Sequence, residues 1–224
     1  MSSSDRVVDT GKFLSAYASE VHVKCVRCNA AGTVLAQFQE RRWSASFECA
    51  ECGLTLDSVR GDWVGPMSMS GRLPCGYCGH KWLQPRISLR GWPREVLDSV
   101  VASCPECGHE SIVPVVSQRI DDGAEHNDPH FGMPLLLVDA GRYGAVWAYN
   151  AHHIQALKSY VAASLRERGV NAGNASMFSR LPAWIKSAKN REAVSKRLAR
   201  LERLLLNRSP AQTRAGGECH KLSV

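Results

Sequence analysis

The stretch CVRCNAAGTVLAQFQERRWSASFECAECG, residues 25–53, carries the pattern from which the fold can be read. Two cysteine pairs of identical spacing, Cys25 with Cys28 and Cys49 with Cys52, bracket two runs with strand composition. AAGTVLAQF reads as a strand, ERR as a turn, and WSASFEC as a returning strand that delivers the second pair; GLTLDSV reads as a third strand. Two cysteines three positions apart on a tight turn can aim both sulfurs at one cation, and zinc takes four thiolates at about 2.3 Å in a tetrahedron. The stretch predicts a zinc ribbon.

Outward from it, the spacing recurs at Cys75 with Cys78 and at Cys104 with Cys107, so eight of the nine cysteines are paired and Cys219 stands alone. The residue after each pair is Asn29, Gly53, Gly79 or Gly108, types that tolerate the left-handed backbone such a turn needs. CGYCGH leads into KWLQPRISLR, a Gly91-Trp92-Pro93 break, DSVVASC, CPECGH and SIVPVV, a second ribbon and a plausible internal duplication. The expected ligand sets are Cys25, Cys28, Cys49 and Cys52 for one Zn2+ and Cys75, Cys78, Cys104 and Cys107 for another. An interleaved cross-brace, first pair with third and second with fourth, is the alternative. A disulfide framework fits poorly, because the chain is long and MSSSDRVVDTGKF lacks a secretory signal. A redox CxxC fits less well, since the motif occurs four times amid β-rich sequence. Four cysteines close the coordination shell, which predicts a structural rather than a catalytic metal. His80 and His109, beside the second ribbon's knuckles, are expected to donate to sulfur or face solvent.

After the ribbons, DDGAEHNDPHFGMP offers Asp121, Asp122, His126, Asp128 and His130, which could suggest hard-ligand metal binding. Gly123, Pro129, Gly132 and Pro134 make it a turn-rich connector instead. PLLLV, DAGRYG and AVWAY then read as a β-hairpin over 134–149. Asn150 is a good N-cap for a helix AHHIQALKSYVAASLRER, with Ile154, Leu157, Val161 and Leu165 on one face and Gly169 at its end. His152 and His153 at that helix start are read as capping or packing residues. Pro182 opens a second helical region that breaks near Asn190, with a seam of Val194, Leu198, Leu201 and Leu205 and with Trp184 and Ile185 completing the core. The seam is expected to pack on the preceding helix, a dimer being the alternative.

The expected fold is α+β: two tandem four-cysteine zinc ribbons of small antiparallel sheets, a β-hairpin and a C-terminal helical pair. The boundaries are an N-terminal extension 1–20, ribbons 21–62 and 63–118, a connector 119–133, the hairpin-helix unit 134–208 and a disordered tail 209–224.

The strings FGMPLLLVDAGRYGAVWAYN and SRLPAWIKSAKNREAV resemble the C-terminal part of a group of bacterial zinc-ribbon proteins of uncharacterised function, a likeness extending over residues 20–206. The resemblance implies a zinc-bearing cytosolic bacterial protein and carries over no catalytic residue. Members tend to have a tryptophan in the strand that here reads Leu135-Leu136-Leu137.

Charge bears on partners. The formal total is +7, and residues 180–208 hold nine cations against two acids, so the remainder balances. With two zinc ions and eight thiolates the total falls to about +3. A basic helix beside zinc ribbons predicts DNA or RNA contact through Lys186, Lys189, Arg191, Lys196, Arg197, Arg200 and Arg203. Trp43, Phe47, Tyr77 and Trp82 are candidates for base stacking, or covers for the metal sites. A protein-docking adaptor is the alternative function. Enzyme signatures are missing: no phosphate loop, dinucleotide turn, HExxH or nucleophile elbow occurs. No apolar run is long enough for a membrane span, and a cytoplasmic location is expected.

Overall fold

The computed structural model describes residues 6–120, 126–169 and 174–207. In chain order the elements are β1 (Arg6–Asp9), β2 (Glu20–Lys24), β3 (Ala31–Gln39), β4 (Arg42–Glu48), β5 (Thr55–Asp57), β6 (Met67–Gly71), β7 (Arg86–Leu89), β8 (Ser99–Ser103), β9 (Glu110–Arg119), β10 (Val138–Gly141), β11 (Gly144–Trp147), α1 (Ala151–Ala162), β12 (Leu165–Arg168), α2 (Ala183–Lys186) and α3 (Arg191–Leu206). The fold is mixed α+β, its sheets are mostly antiparallel, and the described residues form three α-helices.

The first sheet is a meander, β2-β3-β4-β5. Its central hairpin closes through a two-residue turn at Glu40 and Arg41, both left-handed at φ 49° and 64°, the twist that antiparallel neighbours favour. Alternation puts Val34, Ala36, Ala45 and Phe47 on the buried face and Leu35 in solvent; Phe38 shares the face of Val34 and Ala36 but lies at the hairpin end, where it is exposed. The second sheet has the order β7-β6-β9-β8. In the first sheet the strand before knuckle one lies at the edge; in the second it lies inside, hydrogen-bonded to both β7 and β9. The duplication therefore extends to the cysteine turns but not to the strand order.

The loop over 126–134 departs from the expected water-facing connector. Asp128, 1% exposed, accepts backbone N–H bonds from His130 (2.9 Å), Phe131 (2.9 Å) and Met133 (2.6 Å). This folds the loop so that Phe131 and Met133, both fully buried, plug the core of the first sheet. His130 Nε2 reaches the Ala18 carbonyl at 2.8 Å, and Phe131 accepts from the Val64 and Gly65 amides. At the crossing, a Cβ on Gly132 would lie 2.5 Å from the Gly65 Cα, so backbone meets backbone there.

The hairpin is shorter than expected: β10 and β11 begin at Val138 and end at Trp147. Pro134–Leu137 instead runs along β2, where Lys24 N–H donates to Pro134 O and Leu136 N–H to His22 O. The predicted helix over 151–168 is likewise corrected. α1 stops at Ala162, and β12 pairs in parallel with β1, leaving Leu165 47% exposed. The physical cause is Arg166, whose guanidinium donates to the Tyr160, Val161 and Lys186 carbonyls and satisfies the helix end. The N-terminal segment thus belongs to the C-terminal unit: β1 pairs β12, and Leu14 and Tyr17 pack on its core.

Asn150 caps α1 by accepting from His153 N–H at 2.9 Å, and its amide donates to the Tyr17 and Glu20 carbonyls at 2.8 and 2.7 Å. α3 packs on α1 through Val194, Leu198 and Leu201, with Lys158 and Glu202 paired at 2.9 Å. Ile185 is buried in the same cluster, and Trp184 and Leu205 pack against it.

Candidate metal centres

The four knuckles are built alike. In each, the first cysteine's N–H donates to the carbonyl five residues on (Ala30, Leu54, His80 or His109), and the amide four residues on donates back to that cysteine's carbonyl. The residue in the latter position has φ of 61° (Asn29), 68° (Gly53), 74° (Gly79) or 71° (Gly108), the left-handed turn that aims both sulfurs to one side.

Strand pairing then brings knuckles together in chain order. Cys25, Cys28, Cys49 and Cys52 form one cluster and Cys75, Cys78, Cys104 and Cys107 the other, the sulfurs of each lying within 4.8 Å of one another. The interleaved arrangement is not the one formed. Across the knuckles, Sγ–Sγ distances are 3.6 Å (Cys25 to Cys52), 3.5 Å (Cys28 to Cys49), 3.8 Å (Cys75 to Cys107) and 3.6 Å (Cys78 to Cys104). A disulfide requires about 2.05 Å. A tetrahedron with metal–sulfur bonds of about 2.3 Å has edges of about 3.8 Å, so the donor sets fit one tetrahedral cation each. Cys25, Cys49, Cys75 and Cys104 face the interior, while Cys28, Cys78 and Cys107 face water.

The thiols push on one another. Backbone N–H donors, Leu54 for one and Cys78 with Tyr77 for the other, bring Cys52 down to about 7 and Cys75 to about 6. Cys28 and Cys78 also receive such donors, from Ala30 and His80, yet burial and the adjacent thiols push both up to about 12. Four sulfurs at these distances cannot all ionise without a cation between them. A divalent metal held by each set would supply that charge and cross-link two hairpins.

The neighbouring histidines lie outside the ligand sets. His80 is 4.0 Å from a Glu106 oxygen, and His109 stacks on Tyr77 at 4.1 Å. No third cluster of metal-binding side chains occurs among the described residues. Of the acid and histidine loop, Asp128 and His130 serve the fold and His126 stacks on Trp147; Asp121 and Asp122 lie outside the described residues, as do Cys219 and 209–224.

The aromatic candidates divide. Phe47 is 3% exposed and is withdrawn as a base-stacking residue, having been recruited to the core by strand alternation. Trp43 packs between Phe38 and His130, and the Arg72 guanidinium covers Trp82 at 3.7 Å. Tyr77 remains 72% exposed.

The basic segment also divides, and one candidate is corrected. Arg197, 8% exposed, donates to the Asp139 carboxylate and to the Asp139 and Gly144 carbonyls, so it clamps α3 to the hairpin. An arginine in a helix seam reads from sequence like one on its outer face; the signal missed was Asp139 in the opposing hairpin strand β10. Arg200 shares that carboxylate at 2.7 Å, and these cations hold Asp139 below the usual carboxylate range, Arg200 foremost. Lys186 and Arg191 donate to the Ser179 and Ala163 carbonyls. Lys196 pairs with Glu192 at 2.6 Å, while Lys189, Lys196, Arg200 and Arg203 remain exposed.

Sequence reasoning missed a groove beside the first cluster. Lys24, Arg27, Arg90 and Trp92 line it together with the Cys25 and Cys28 knuckle, in a volume of about 630 Å³. Arg27 lies 5.5 Å from the Trp92 ring centre.

His153 shows how the α1 start is used. It is 2% exposed, its Nδ1 accepts from Tyr149 N–H at 3.2 Å, and its ring stacks on Tyr17 at 4.9 Å. Burial pulls its pKa from 6.5 to about 4. Because the folded value is depressed, the unfolded chain takes up the proton first, and stability is lost as pH falls from 6.5 towards 4. The expected loss is about 3 kcal/mol. His153→Gln should lower stability at neutral pH but flatten this slope; comparing the two unfolding curves at each pH cancels metal loss common to both. Parallel pH profiles would contradict the assignment.

Fold and donor sets together define a mixed α+β protein with two four-cysteine centres, each suited to one metal ion. No family model matches the chain, and neither a curated protein nor a solved structure does. No helix among the described residues is long and apolar enough to cross a membrane.

Proposed function

We propose that this is a non-enzymatic zinc-ribbon protein that binds nucleic acid, with zinc in both four-cysteine centres as scaffold. The observation that carries the reading is the groove beside the first centre, lined by Lys24, Arg27, Arg90 and Trp92. Cations that track phosphates, next to an aromatic face on which a base can stack, are the two components of single-strand binding. The exposed cations of α3, Lys196, Arg200 and Arg203, and Lys189 just before it extend the electrostatic attraction; Arg197 does not contribute. Zinc is favoured by four thiolates in tetrahedral spacing. The resemblance to bacterial zinc-ribbon proteins agrees with zinc as the metal and with a cytoplasmic setting.

The test is fluorescence anisotropy of labelled mixed-sequence single-stranded DNA and RNA against the metal-loaded chain. Binding should weaken steeply with salt, and Lys24→Glu with Arg27→Glu should cost more affinity than Lys189→Glu with Arg203→Glu. Absence of binding at low salt would remove the proposal.

A specific feature favours a second reading, protein docking. On the outer face of the second sheet, Val101 sits opposite Ile112, and Val101, Ile112 and Val116 are 61%, 68% and 67% exposed. Apolar side chains adjoining on an open sheet face are the composition of a partner surface. A stoichiometric complex that survives nuclease treatment and is lost with Ile112→Lys would favour docking over nucleic acid.

A further inference from the structure

The core of the C-terminal unit is not filled. Between the N-terminal segment, β11, α1, the 174–182 turn and α3 lies a cavity of about 400 Å³, within the range of small-molecule sites. Its walls are apolar, with Leu14, Trp147, Leu157, Met177, Leu181 and Leu198 prominent among them.

Two polar side chains line the cavity without protein partners for the groups they offer. The His153 ring is 2% exposed, and its Nδ1 is taken by the Tyr149 amide. That leaves the proton on Nε2, which has no hydrogen-bond partner among the described residues. That N–H is open rather than sealed in the core, so an oxygen on an occupant could accept from it. Arg180 belongs to the exposed part of the lining, and its guanidinium makes no ion pair or hydrogen bond among the described residues. Most other arginines of this unit are engaged: Arg166, Arg191, Arg197 and Arg200 each hold a carbonyl or a carboxylate. An arginine fork at an apolar mouth matches a carboxylate head.

We propose that this cavity is a binding site for an amphipathic carboxylate, its apolar body inside and its carboxylate on Arg180. The His153 imidazole offers a donor to an oxygen carried on that body. The site is formed from five parts of the chain, so a ligand there would tie the N-terminal segment to α1 and α3. It is separate from the metal centres and from the groove, and does not depend on either assignment of partner.

The experiment is calorimetric titration of the metal-loaded full chain with decanoate and with decanol, both below micelle formation. Decanoate should bind saturably at one per chain. Arg180→Ala should weaken decanoate roughly tenfold, the worth of one charge-assisted contact, and leave decanol unchanged. Ala175→Trp, which puts an indole into the space, should remove both; Leu181→Trp serves the same purpose if the first variant fails to give a native unfolding transition. No saturable binding of decanoate, binding indifferent to both tryptophan variants, or equal weakening of acid and alcohol by Arg180→Ala would each overturn the proposal.

Discussion

Chelation of the metal-loaded chain is expected to unfold the second sheet outright and to loosen the first. A structural zinc site contributes an apparent ~10 to 16 kcal/mol at neutral pH, against a net stability of about 5 to 15 kcal/mol for a whole domain. The second sheet has little else. Its buried clusters are Cys75, Leu83, Cys104 and Val113, two of them ligands, and Met69, Val100 and Val115. The first sheet shares a larger core with Phe131, Met133, Leu135 and Tyr149, delivered from outside the cysteine pairs. Amide exchange should therefore lose protection throughout β6, β7, β8 and β9 and only in part across β2, β3 and β4. Elemental analysis should find two zinc ions per chain, falling to one in Cys104→Ser. Fewer than one metal in the native chain, or full protection of the second sheet after verified removal, would refute the structural role.

Asp128→Ala is expected to be the most damaging substitution outside the cysteines. Its carboxylate satisfies three buried amides, those of His130, Phe131 and Met133. Each amide left unpaired costs about 1 to 3 kcal/mol. Burial itself pushes the Asp128 carboxyl up in pKa, so losing the acid recovers part of that cost. The net should be a loss of about 3 to 5 kcal/mol, a fall in Tm of about 10 °C for a chain of this size. Asp128→Asn keeps an acceptor but turns an NH2 towards amide donors, and should fall between alanine and the native chain. Differential scanning fluorimetry decides it; a Tm within about 2 °C of native for the alanine variant would show that the loop is not held by this residue.

The local chemistry of the metal centres was legible in the sequence because it is local. The CxxC spacing and the Asn29, Gly53, Gly79 and Gly108 positions specify a turn whose geometry needs only five or six residues, and all four turns form alike. The β3 and β4 alternation and the α3 seam were readable for the same reason, since period 2 and period 3.6 are properties of a single element. Composition also located the basic segment, but not which of its cations were free.

What lay beyond the sequence was decided by contacts between distant residues. Arg197 reads as one more cation on a helix, and only the arrival of Asp139 from the hairpin makes it a clamp. Asp128 reads as a polar loop residue until the chain turns three amides onto it. The pattern of residues 151–168 is helical as far as Leu165, yet β1 at the other end of the chain offers a pairing edge and Arg166 satisfies the helix end first. Lys24 and Arg90 lie far apart in sequence and become one groove only in the folded chain. By itself the sequence determined the four pairs of sulfur donors, because thiolate geometry is written into short spacings, while strand pairing decided which pairs share a site. The tertiary structure decided which charges remain free to meet a partner, because a side chain's availability depends on what the rest of the chain places against it.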